Sequence, residues 1–148
     1  MKTKLLALAV TLFVGSTINK AEAQYFCFWI ANQSSETFAE LKVRESGSGS
    51  AFSRDLLPED LIESGKHFWI KTGNDKALRW DVQITNLDGT PLLFTYKDVS
   101  GKWHRDQRFI TVNARDLHTL VIEDDDETGL TFKYYLNDQL AFGHPCEN

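Results

Sequence analysis

Apolar and polar residues alternate with a period of two along most of this chain, in runs broken by Gly, Pro, Asn, Asp and Ser. The clearest run is residues 78–85, where Leu78, Trp80, Val82 and Ile84 take one face and Arg79, Asp81, Gln83 and Thr85 the other. Alternation of this kind marks a half-buried β-strand. Residues 36–44 repeat it, with Ala39, Leu41 and Val43 set against Glu40, Lys42 and Arg44, whereas residues 25–31 are apolar on both faces and suit a fully buried strand. Further runs at 66–71, 90–99, 107–113, 117–123 and 130–136 bring the expectation to about eight strands. Asp88-Gly89 can adopt positive φ, which predicts that residues 78–85 fold back onto 90–99 as a hairpin. Short links favour antiparallel neighbours, because parallel pairs need long crossovers. The predicted fold is therefore an all-β antiparallel sandwich with one short helical turn at residues 58–63, started by Pro58. The Ser-Gly stretch at residues 45–50 has too little apolar content to pack and reads as a loop within the domain.

The first 23 residues break this pattern. Lys2 and Lys4 precede an apolar run at residues 5–14, and Ala21-Glu22-Ala23 offers the small residues of a cleavage site. A run of this length is too short to span a bilayer, so residues 1–23 read as an export signal peptide and residues 24–148 as one domain, secreted or periplasmic and not membrane-embedded. The formal charge is −5, and losing Lys2, Lys4 and Lys20 with Glu22 makes the remainder more acidic still. Phosphate neutralisation needs clustered Lys and Arg, so nucleic acid is excluded as a partner. Cys27 and Cys146 lie near the two ends of the expected domain, and in an oxidising compartment they are expected to pair. Closing so long a loop stabilises by roughly 4–5 kcal/mol in the chain-entropy model. Neither cysteine sits in a redox or zinc motif.

Candidate chemistry is sparse. Glu123-Asp124-Asp125-Asp126-Glu127 is the strongest local feature. Asp124, Asp126 and Thr128, ahead of Gly129, match the opening of a calcium loop, but Tyr135 stands where the bidentate Glu belongs, so a solvated acidic turn competes with calcium as the only cofactor in view. Among four tryptophans, Trp29 and Trp80 alternate with apolar residues as core positions would, Trp69 shares a strand face with His67, and Trp103 and His104 lie among polar neighbours. Trp103, His104 and Trp69 are thus the candidate ligand or partner contacts, through flat rings that give contact area at low entropy cost. The four histidines show no zinc spacing, and no serine lies in G-x-S-x-G. Arg79 and Asp81 share an outward face as a surface pair. Asn32-Gln33-Ser34 fits a glycosylation acceptor, and Asn32 is read as a turn residue.

Ile30-Ala31-Asn32-Gln33-Ser34, Asp55-Leu56-Leu57, Leu61, Gly65, Trp80-Asp81-Val82 and Asp88-Gly89 together resemble a group of small exported bacterial all-β domains of unknown function. This chain has Phe52-Ser53-Arg54 where that group carries Trp-Gly. The resemblance implies an exported all-β fold and no activity. The function expected from the sequence is a non-catalytic binding or structural accessory domain, monomeric or weakly associating, with a protein or glycan partner. The alternatives are a calcium-stabilised adhesive domain, or a hydrolase or hydrolase inhibitor with a cross-strand site.

Overall fold

The computed structural model describes residues 25–58, 60–74, 77–113 and 117–136. These form nine strands: β1 (Tyr25–Gln33), β2 (Glu40–Glu45), β3 (His67–Asn74), β4 (Arg79–Thr85), β5 (Phe94–Lys97), β6 (Trp103–Gln107), β7 (Ile110–Asn113), β8 (Leu117–Asp125) and β9 (Gly129–Leu136). A six-stranded sheet runs in the order β3-β1-β8-β9-β5-β6, and a three-stranded sheet in the order β2-β4-β7. The all-β reading holds, and the two sheets share one core.

Period-two alternation explains how they meet. Phe28, Ile30, Ile70, Phe94, Leu120 and Ile122 from the large sheet pack with Leu41, Val43, Trp80, Val82, Ile84, Ile110 and Val112 from the small one. Trp80, Val82 and Ile84 point inward as the sequence predicts, and β1 buries Phe28 and Ile30 on one face and Ala31 on the other. The opposite face of the large sheet carries Trp69, Trp29, Thr119 and Tyr135 in one cross-strand row.

Several expectations need correction. The large sheet is mixed: β1 runs parallel to β8, and β5 parallel to β9. Parallel pairing is possible because partners distant in sequence supply the crossover. The hairpin after β4 is only a stub. Gly89 takes φ +77°, Thr85 bridges Pro91, and Leu92 N–H donates to Ile84 C=O, after which the chain leaves for the other sheet as β5. No helical turn starts at Pro58 among the described residues; Ile62 instead bridges Phe38 in an extended conformation. β6 is a strand largely outside the runs expected from the sequence, at the residues where Trp103 and His104 lie among polar neighbours. The expected signal peptide and Cys146 lie outside the described residues, while Cys27 sits on β1 opposite Lys71.

The residues that carry the family resemblance do structural work. Asn32 is fully buried at the end of β1, where its amide donates to Glu36 and Ile62 carbonyls and accepts from Ser34 N–H and hydroxyl. It is neither a turn residue nor an accessible glycan acceptor. Asp55 accepts from Leu41 N–H at 2.9 Å and from Leu57 N–H at 3.0 Å. Leu56 N–H donates to Leu41 C=O, Ser53 N–H to Val43 C=O, and Val43 N–H to the Ser53 hydroxyl. Residues 53–56 thus run along β2 as a strap, supplying side-chain and backbone partners to an edge that would otherwise stand open.

Candidate functional site

The large sheet is twice as wide as the small one, so its two ends need separate covers. At the β3 end the strap over β2 continues the small sheet outward, and a cavity of about 560 Å³ remains beside it. Trp29, His67, Trp69 and Lys71 enter from the outward face of β1 and β3, and Leu56, Pro58 and Phe68 from the strap side. Asn32 N–H donates to Lys66 C=O, which marks a hydrogen-bonded pair. Counting back along the register makes Trp29 and Trp69 a non-hydrogen-bonded pair, the kind whose side chains lie closest. His67 leans on Trp29 with ring centroids 5.4 Å apart. Two indoles, an imidazole and an ammonium therefore line one hollow of a size usual for small-molecule sites. Among the described residues, none that lines it is a carboxylate. A second hollow of about 660 Å³, lined in part by Asp60, Glu63 and Lys66, shares Pro58 and Phe68 with it.

Trp69 thus joins Trp29, which is not a core residue as the sequence suggested but half-exposed on the outward face. The pattern could have shown this: Trp29 lies out of phase with Phe28 and Ile30.

At the β6 end nothing among the described residues extends the small sheet past β7. Tyr96, Phe132 and Tyr134 stand on the inward face with edge-on ring contacts of 4.7 and 5.2 Å, and Tyr134 donates to Thr111 C=O across the gap between the sheets. Burial pushes the Tyr134 hydroxyl up to about 12, with neighbouring Tyr96 adding to the effect and Arg79 opposing it. Burial, helped by Asp98, also raises Tyr96. His104 stacks on Tyr96 at 4.9 Å and places Nε2 2.9 Å from Asp98 Oδ2. Asp98 Oδ1 accepts from Ser100 N–H and hydroxyl and from Lys102 N–H. The Ser100 hydroxyl, His104 and the Lys102 amide hold its carboxyl well below the usual range.

Trp103, 43% exposed, projects outward from β6 with Lys97 Nζ 5.2 Å and Arg105 Cζ 4.9 Å from its ring centroid. The structure therefore separates the two expected ring contacts: Trp69 lines a hollow at one end of the sheet, and Trp103 with His104 marks the opposite edge.

One other expectation resolves differently. Asp81 does not pair with Arg79. It is 3% exposed and accepts from Arg44 Nε at 3.0 Å and from the Thr111 hydroxyl at 2.8 Å. The Arg44 guanidinium lies 4.3 Å from the Phe52 ring and 4.9 Å from Phe109. Phe52 therefore anchors the root of the strap. In the acidic turn, Asp124 accepts from Ser35 N–H and hydroxyl, and Asp125 from the N–H groups of Glu127 and Thr128, which lowers the Asp125 pKa. No metal-holding cluster of three His, Cys, Asp or Glu occurs among the described residues.

No protein-family model matches this chain, and no curated protein matches it. Among solved structures, an NMR structure described as that of a protein from Eubacterium rectale matches 80% of this chain and 95% of its own, with 13% identity and a TM-score of 0.45.

Proposed function

We propose that this protein is an exported, non-catalytic binding domain whose ligand, a short glycan, sits in the hollow lined by Trp29, His67, Trp69 and Lys71. The observation that carries this reading is the cross-strand pair of half-exposed indoles beside two polar side chains in a hollow of about 560 Å³. Indole faces give a sugar ring contact area at low entropy cost, and the imidazole and ammonium can bond its hydroxyls. Glycoside hydrolysis ordinarily needs two carboxylates across the scissile bond, and the described residues of this lining are aromatic, apolar or cationic, which favours binding over turnover. The Cys27–Cys146 bridge belongs to the same proposal, as the fastening an exported domain of this size would use.

The test is binding of the purified protein to a glycan array, with Trp69→Ala and Trp103→Ala in parallel. At least one glycan class is retained by the wild type and by Trp103→Ala and lost with Trp69→Ala. Retention of no glycan, or equal retention by Trp69→Ala, would discard the reading. Lys71→Gln, which leaves the rings in place, should weaken the same glycan and guards against a folding defect in the tryptophan variant.

A further inference from the structure

The outer margin of β6 suits a different kind of partner from the hollow at β3. We infer that β6 is a docking edge for an extended peptide segment of another protein, carrying acidic side chains at alternate positions.

The backbone supplies the first part of the argument. Asp98 N–H donates to Lys102 C=O, which makes Asp98 and Lys102 a hydrogen-bonded pair. Antiparallel pairs alternate, and the register places Lys97 opposite Trp103 and Tyr96 opposite His104. His104 therefore turns its N–H and C=O toward β5, while Trp103 turns both outward, as Arg105 turns its N–H. β6 is the last strand of its sheet among the described residues. The Arg105 carbonyl is taken by Gln107 Nε2 at 2.6 Å, and Asp106 adopts φ 51°, so the available edge is short and ends at a bulge. A partner strand can make about three main-chain hydrogen bonds there, in the manner of strand addition to a sheet edge.

Charge selects the occupant. The chain carries −5 overall, yet residues 97–108 hold Lys97, Lys102, Arg105 and Arg108 against Asp98 and Asp106. All four cations are exposed, while Asp98 is occupied with His104 and the turn amides. This cationic strip on an acidic protein attracts an acidic segment and repels basic ones. Cations over the Trp103 ring argue against a neutral sugar, which would have to displace them from the face it needs. An acidic side chain opposite Arg105 meets the guanidinium directly. Residues of the incoming strand alternate faces, so acids at every second position all fall on the side of Lys97, Trp103 and Arg105.

The probe is a synthetic peptide alternating valine and glutamate, titrated into ¹⁵N-labelled protein, with a valine–glutamine version and a version N-methylated at alternate residues as controls. The glutamate peptide should shift the amides of Trp103 and Arg105, bind roughly tenfold more weakly to the Lys97→Gln/Arg105→Gln double variant, and lose affinity when N-methylated. Equal binding of the N-methylated peptide would show charge attraction without strand pairing and overturn the inference, as would equal binding of the glutamine peptide or shifts confined elsewhere. Sedimentation of the protein alone addresses a second copy as occupant. Self-association abolished by Asp126→Asn/Glu127→Gln would assign the edge to the acidic turn of another copy and overturn the outside partner. None of these outcomes bears on Trp69, so the glycan reading stands or falls separately.

Discussion

The two ends of the six-stranded sheet are covered in opposite ways. At β3 the chain adds a strap, residues 53–56, that satisfies the β2 edge and leaves a hollow between itself and two paired indoles. At β6 the described residues add no such cover, and the edge is protected by charge, a bulge and one glutamine amide. A capped edge with a hollow suits a compact ligand held by side chains, whereas a short bare edge suits a strand held by backbone. The contrast arises from sheet width: three strands cannot cover six, and the long connection from β2 to β3 covers a single side.

The sharpest way to break the contrast is to remove what ties both ends to the small sheet. Arg44 touches Phe52 at the root of the strap and Phe109 at the exit from β6, and Asp81 is its buried counter-charge. Asp81→Ala leaves the guanidinium unpaired on a largely buried face and should cost about 3 kcal/mol, read by urea unfolding. Both ends should then exchange amide hydrogens faster. An effect confined to one end would show that Arg44 does not join them.

Asp55→Ala should act on the β3 end alone. Removing the acceptor of two N–H groups should cost about 1–2 kcal/mol and speed exchange at Leu41 and Leu57, with the Trp103 and Arg105 amides unchanged. Weaker glycan retention should accompany it, because Leu56 and Pro58 form one wall of the hollow.

Tyr134→Phe probes the other end, where the lost hydrogen bond to Thr111 should cost about 1 kcal/mol at neutral pH. The folded hydroxyl titrates at about 12, above its ordinary value near 10, so the folded state holds the proton more tightly. Its stabilisation is complete below the ordinary value and is lost as pH rises toward the folded one. Wild-type stability should fall across that window more steeply than that of Tyr134→Phe.

Asp98→Ala should have the smallest global effect, because its partners lie within one exposed hairpin. Faster exchange at Tyr96 and His104 with little change in Tm is the expected result. The folded carboxyl is held below its ordinary range, so its contribution is present above that range and disappears as pH falls through the folded value. The wild-type hairpin should loosen in acid toward the behaviour of the variant.

How far these ends were legible in the sequence depends on what positioned them. Alternation placed Trp80, Val82 and Ile84 inward because one strand's period decides it. The same rule put Trp69 with His67 on one face, and could have placed Trp29 with them. It could not find the strap, since Ser53 and Asp55 act as edge partners through hydrogen bonds to strand residues 10 and 14 positions away. Nor could it find β6, where Trp103, His104, Arg105 and Asp106 show no apolar alternation, because an overhanging edge strand has no core face to fill. The parallel pairs were equally hidden, since register between distant segments leaves no mark on either one. Asp81 was misassigned for a related reason: its true partner, Arg44, is a cross-strand neighbour 37 residues away.

The claim on which the account turns is that the paired indoles, and not the exposed Trp103, receive the glycan. A ¹⁵N–¹H titration with the glycan retained on the array measures this residue by residue. The account predicts shifts at the Trp29 and Trp69 indole N–H groups and at the backbone amides of residues 67–71, with residues 97–105 still. Shifts centred on residues 97–105 instead, with the two indoles unmoved, would contradict it.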